Sequence, residues 1–159
     1  MTQIQQQINA LESLVREWEG VKDKAESLRS ATAKRWKRIV ETDRVWLSPE
    51  GWRAEQDAHA RDLQHEMKLH DRADELHRQL TQEWIPRVEG AFPSDIAAAL
   101  ELAHLVGKVD ANKGSALACR ATQTPPQSVA DFVALGAYYE KTGQLSAAIR
   151  TAREGWQQT

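Results

Sequence analysis

The strongest constraint in this chain is a row of residues spaced by seven. Ile4, Leu11, Trp18, Ala25, Thr32, Ile39 and Trp46 form one row, and Gln7, Leu14, Val21, Leu28, Arg35 and Thr42 form a second. The second is apolar between Leu14 and Leu28. Together they read as the a and d positions of a heptad pattern, which only a long helix sustains. Ile8, Val15 and Trp36 add a third row, and a stripe that wide suits a bundle better than an isolated two-stranded seam. Helix breakers are scarce before residue 86, being confined to Gly20, Pro49 and Gly51. Gly20 is the weak point, costing about 1 kcal/mol against alanine if it lies inside the helix.

The pattern stops at WLSPEGW. Ser48 is a good N-cap, Pro49 suits the first helical position, and Glu50 suits the positive end of a helix dipole. One helix is therefore predicted to end near Trp46 and another to start near Pro49, and so short a connection makes them antiparallel neighbours. The second helix shows Leu69, Ala73, Leu76, Leu80 and Trp84, with Pro86 ending or kinking it. The stretch EGAFPSD, residues 89–95, marks a boundary. A helix of some 44 residues spans roughly 65 Å, whereas a compact globule of this length has a radius of gyration of about 15 Å. The expected organisation is a long helical hairpin over residues 1–90, turning near 47–50, followed by a region of shorter helices over 91–159. Two helices cannot bury three apolar rows, so the surplus must meet the C-terminal part, a second copy or a partner.

The last third is alanine-rich, with helices predicted at 96–106 and 115–121, a loop at TPPQS, and a helix–turn–helix over 131–156. In this last segment Leu135-Gly136, Tyr139, Gly143, Ala148 and Ala152 fall at the spacing of a tetratricopeptide repeat, which the segment resembles. The resemblance implies two closely approaching helices, with small residues at their contact and the tyrosine filling the gap between them. It covers about thirty residues, and the segment 95–122 does not repeat it in register. The fold class expected is all-α: a coiled-coil-like hairpin plus a small tetratricopeptide-like bundle.

Four of the five histidines fall in HARDLQHEMKLHDRADELH, residues 59–77. On an ideal helix His59, His70 and His77 lie within about 20° of one another, but His70 and His77 stand about 10 Å apart along the axis. One metal cannot bridge that spacing. Pairs such as His70/Asp74 and Asp74/His77 need ligands from another helix, for which Glu101 and His104 are the candidates, and the Glu-x-x-His pattern resembles a di-iron carboxylate bundle. Arg72 followed by His77 resembles the arginine–histidine motif of HEPN ribonucleases, which implies acid–base work for His77 and phosphate binding for Arg72. Ala73 stands where that family favours a polar residue. Both readings rank below the plain one, in which the histidines line a solvated helix edge. If Ser48–Pro49 turns the chain, His77 returns near Trp18, at a seam where protonation can tune packing.

The stretch 29–38 carries Arg29, Lys34, Arg35, Lys37 and Arg38 with no acid, a balance of +5 around Trp36. Cations beside an aromatic ring can contact phosphates and stack on bases, so Lys34, Arg35, Lys37 and Arg38 are candidate nucleic-acid contacts. Residues 49–90 hold six basic and ten acidic residues, a balance of −4, so the two arms can instead attract each other. Net charge is −2, which provides no global field for nucleic acid or an anionic membrane. The single cysteine, Cys119, has no internal partner for a disulfide, and no run is apolar for long enough to span a membrane. A cytoplasmic location is the default expectation.

The sequence thus favours a non-enzymatic interaction protein, acting as an adaptor, a chaperone-like binder or a small inhibitor, with no cofactor and no metal. Its expected contact residues are Trp18, Val21, Leu28, Trp36 and Trp52, and its expected partner is another protein or a second copy of itself. Nucleic-acid binding through residues 29–38 is the alternative, ahead of a metal-binding bundle or a ribonuclease.

Overall fold

The computed structural model describes residues 2–43 and 47–159. These residues form helices and turns and no strand, so the chain is all-α. Helix α1 (Gln3–Arg38) closes in a π-helical turn, Ile39–Asp43. Trp46, the expected end of the first helix, lies outside the described residues. Helix α2 (Pro49–Gln79) starts where the sequence places it, with the Ser48 hydroxyl accepting from the Gly51 amide at 3.1 Å.

Pro86 does not end the second helical run. Its ring removes one amide and crowds the carbonyl four residues back. The backbone widens into a π turn over Leu80–Trp84, where the Ile85 amide donates to the Leu80 carbonyl, five residues back. Helix α3 (Ile85–Gly90) then continues to the break at residues 91–95.

Three caps set out the short helices. Asp95 accepts from the Ala98 amide at the start of α4 (Ile96–Val109), and Asp110 does the same for Lys113 at α5 (Ala111–Gln123). Ser128 and Asp131 form a reciprocal capping box at α6 (Val129–Lys141). Helix α6 ends in a Schellman turn. The Gln144 amide donates to the Tyr139 carbonyl, the Gly143 amide to that of Glu140, and Gly143 takes φ +75, which glycine adopts at no steric cost. Helix α7 (Leu145–Gln157) follows.

The chain divides into two compact units, one of Met1–Val15 with Gln79–Thr159, the other of Arg16–Arg78. The boundary near residue 90 suggested by composition differs from this division by packing, because the apolar positions at the start of α1 and those from Leu80 onwards group with the short helices. In the first unit Ile8, Leu11, Val15, Leu80, Ile85, Ile96, Leu102 and Val106 are almost wholly buried. Helix α4 packs on α5 and α6, and α6 packs on α7. The α4–α5 crossing is tight: a Cβ built on Gly114 would lie 2.3 Å from the Gly107 Cα and 2.9 Å from the Ala103 carbonyl oxygen. At α6–α7 the close approach is Gly155 against Phe132, where an added Cβ would meet the Phe132 Cβ at 2.8 Å. Of the small residues of the tetratricopeptide resemblance, Gly136 has no such neighbour and Ala152 is exposed, so these two do not make this contact.

Candidate functional site

The second unit is an antiparallel pair of helices whose register is fixed by two ring contacts. Trp18 lies against His77 with ring centroids 5.6 Å apart, and Trp36 stacks on His59 at 4.3 Å and 16°. Each pair of positions is eighteen residues apart on its own helix, which is five turns, so both contacts open on one side of the pair. Trp52 adds a third ring, 5.6 Å from Trp36. Lys22 sits over the Trp18 ring at 5.3 Å, a cation–π arrangement.

On α2 the inward positions run Trp52, Glu55, His59, Asp62, Glu66, Leu69, Ala73 and Leu76, at alternating spacings of three and four. All are buried or half-buried. The seam is apolar at the Leu76 end and polar towards Trp52, and α1 answers in kind. Arg35 reaches Glu55 at 2.8 Å and Asp62 at 3.5 Å, and Arg29 lies 3.9 Å from Glu66, which also meets His70 at 3.5 Å. Near the other end Arg72 donates to Glu17 at 2.6 Å. Within the basic stretch on α1, Arg29 and Arg35 therefore face acids on α2.

These contacts place each candidate. Arg35 is held by two carboxylates, while Lys34, Lys37 and Arg38 are exposed in the last turns of α1. Arg72 is bound to Glu17 and His77 lies on Trp18, so the arginine and histidine of the ribonuclease-like motif each contact α1. Among the described residues no three of histidine, cysteine, aspartate and glutamate gather as a metal site, and Asp74, Glu101 and His104 are exposed. Trp18, Val21, Leu28, Trp36 and Trp52 are all half-buried. They divide between two flanks of the seam. Trp36 and Trp52 stand with His59 on one, and on the other Leu28 lines an open groove of about 640 Å³ with Leu69, Ser27 and His65.

Two further apolar side chains went unnoticed in the sequence. Leu63 and Met67 are 43% and 65% exposed. They follow His59 at four-residue spacing, so they extend the histidine–tryptophan flank along the outside of α2. The signal was present as a His59–Leu63–Met67 row but was masked by the histidines around it.

In the first unit a broader open groove of about 680 Å³ lies between α4, α5 and α6. Alanines and glycines form its floor, and His104, Lys108, Tyr138 and Lys141 are its larger lining residues. Among the described residues no helix is long and apolar enough to cross a membrane. No protein-family model, no curated protein and no solved structure matches this chain.

Proposed function

We propose that the chain is a protein-binding module, an adaptor or small inhibitor, whose contact surface is the histidine–tryptophan flank of the α1–α2 pair. The observation that carries this reading is the row formed by Trp36, Trp52, Leu63 and Met67, half-buried or exposed on a pair of helices that has no room to cover it. Stacked rings held at fixed positions lose little freedom on binding, and tryptophan and methionine are common at such contacts. Leu28 and Leu69, in the groove on the opposite flank, offer a second ridge for a helical partner. In this reading α6–α7, with its tetratricopeptide-like turn at Gly143, is scaffold.

The test is capture from the native host with the wild-type chain and with the Leu63→Asp/Met67→Asp variant. Both sites are exposed, so the variant should keep its helical circular dichroism while losing its partner by at least about tenfold. A wild-type chain that captures nothing above a scrambled control, or a partner indifferent to the double variant, overturns the reading.

A further inference from the structure

Helix α4 packs on both α5 and α6, while α5 and α6 make no comparable contact with each other. The two flanking helices therefore leave the groove of about 680 Å³ open along α4. Its floor is set by the tight α4–α5 crossing: Ala103, Gly114 and Ala118 are buried in it, and no methyl group fits at Gly114. A floor that cannot shift is formed before anything binds. Leu100 and Tyr138, both half-buried, wall the groove, and the Tyr138 ring is held edge-on to Tyr139 at 5.7 Å.

The charges that line this groove are of one sign. Lys108 and Lys141, both exposed, stand in the last turns of α4 and α6, and both line it. Among the described residues no aspartate or glutamate does. The acids close to these lysines in the chain are otherwise placed. Asp110 accepts from the Lys113 amide as the cap of α5, and Glu101 and Glu140 are exposed outside the lining. A lysine in a last turn complements the dipole of its own helix, but that role does not require two of them to border one apolar groove.

We infer that the groove binds a small amphiphilic anion, its apolar body on Leu100, Ala103 and Ala118 and its anionic head, carboxylate or phosphate, against Lys108 and Lys141. The lining dictates both halves. Small apolar side chains offer a polar body no hydrogen bond, and two cations without an acid favour a negative head. Size decides against a helical segment of another protein. A helix about 11 Å across fills roughly 500 Å³ per turn, so the groove would seat little more than one turn. It falls instead within the range of about 300–1,000 Å³ that takes a small molecule. The inference uses residues outside the α1–α2 flank and stands whether or not that flank binds a protein.

Titration calorimetry of the full chain with decanoate and with decyl phosphate, up to about 200 μM, tests it. The expected result is one saturable site with a Kd below about 100 μM for at least one of them, and the tighter of the two names the head group. Decanol and inorganic phosphate each carry half of the chemistry and should bind at least about tenfold more weakly. Lys108→Gln/Lys141→Gln changes only exposed side chains. It should weaken the amphiphile at least about tenfold with helical circular dichroism unchanged. Ala137→Trp, at the exposed rim, should fill the groove and abolish binding. A chain that binds neither amphiphile overturns the inference. So does binding that both variants leave intact, or decanol that binds as well as decanoate. A groove that takes a helical peptide rich in glutamate and leucine but neither amphiphile overturns it in favour of a protein partner.

Discussion

Between α4 and α5 the backbones approach so closely that no methyl group fits at Gly114, whereas α1 and α2 are joined along one flank by the rings of Trp18, Trp36, His59 and His77. The first contact is built by removing side chains and the second by stacking large ones. Small-residue packing leaves no slack, since any added atom must move a backbone. Stacked rings and half-exposed ion pairs give way individually, because each contributes little and solvent can replace part of it. The short-helix unit should therefore be intolerant of substitution at a few points, and the hairpin tolerant along its length.

The largest expected effect is at the tight crossing. Gly114→Ala should cost about 3 kcal/mol or more, since its Cβ would overlap the Gly107 Cα and the Ala103 carbonyl. Chemical denaturation should show a lower midpoint. An unchanged midpoint would mean that α4 and α5 are not in this contact. The matching removal in the hairpin is Trp36→Ala, which deletes the ring between His59 and Trp52. Trp36 is only half-buried, so about 2 kcal/mol is expected, and tryptophan fluorescence should lose its stacked component. A loss as large as that at Gly114 would erase the contrast between the two units.

A smaller effect has the opposite sign. Thr32 is 4% exposed, and its hydroxyl has no hydrogen-bond partner among the described residues. An unsatisfied buried hydroxyl costs roughly 1–3 kcal/mol, and valine has nearly the same shape without it. Thr32→Val should raise stability by about 1.5 kcal/mol, measured as a higher denaturation midpoint. Destabilisation would show that the hydroxyl is satisfied.

Much of this contrast was legible in the sequence, and the part that was not has a physical reason. The sevenfold rows gave α1, Ser48–Pro49 gave the start of α2, and the pairing of Trp18 with His77 followed from the turn between them. The seam of α2 could be read only from Leu69 onwards, because towards Trp52 it continues in Glu55, His59, Asp62 and Glu66. A hydrophobic period cannot see a seam whose inward residues are charged. They are inward because Arg29 and Arg35 face them, which depends on the partner helix and not on α2 itself. For the same reason the sequence alone did not show that Arg29 and Arg35 of the basic stretch 29–38 face acids on α2, whereas Lys34, Lys37 and Arg38 are exposed. The π turn before Pro86 was read as an end or a kink, since the proline shows that a hydrogen bond is lost but not how the backbone absorbs the loss. The outward row on α7, formed by Leu145, Ile149 and Trp156, was hidden too: periodicity marks an apolar face but does not say whether a neighbour covers it.

The same substitution that should break the short-helix unit should stabilise the long helix. Gly20 lies inside α1, is exposed, and has nothing within 4 Å of the position its Cβ would take. Alanine there meets no neighbour and restricts the unfolded chain, so Gly20→Ala should stabilise by about 0.8 kcal/mol. Gly114 is also helical, so it has the same intrinsic preference for alanine, and the two substitutions differ only in what surrounds the new methyl group. Measured side by side by chemical denaturation, they separate propensity from packing. Opposite signs are expected. If both destabilise, α1 is not a continuous helix through residue 20; if both stabilise, α4 and α5 are not held at the Gly107–Gly114 crossing.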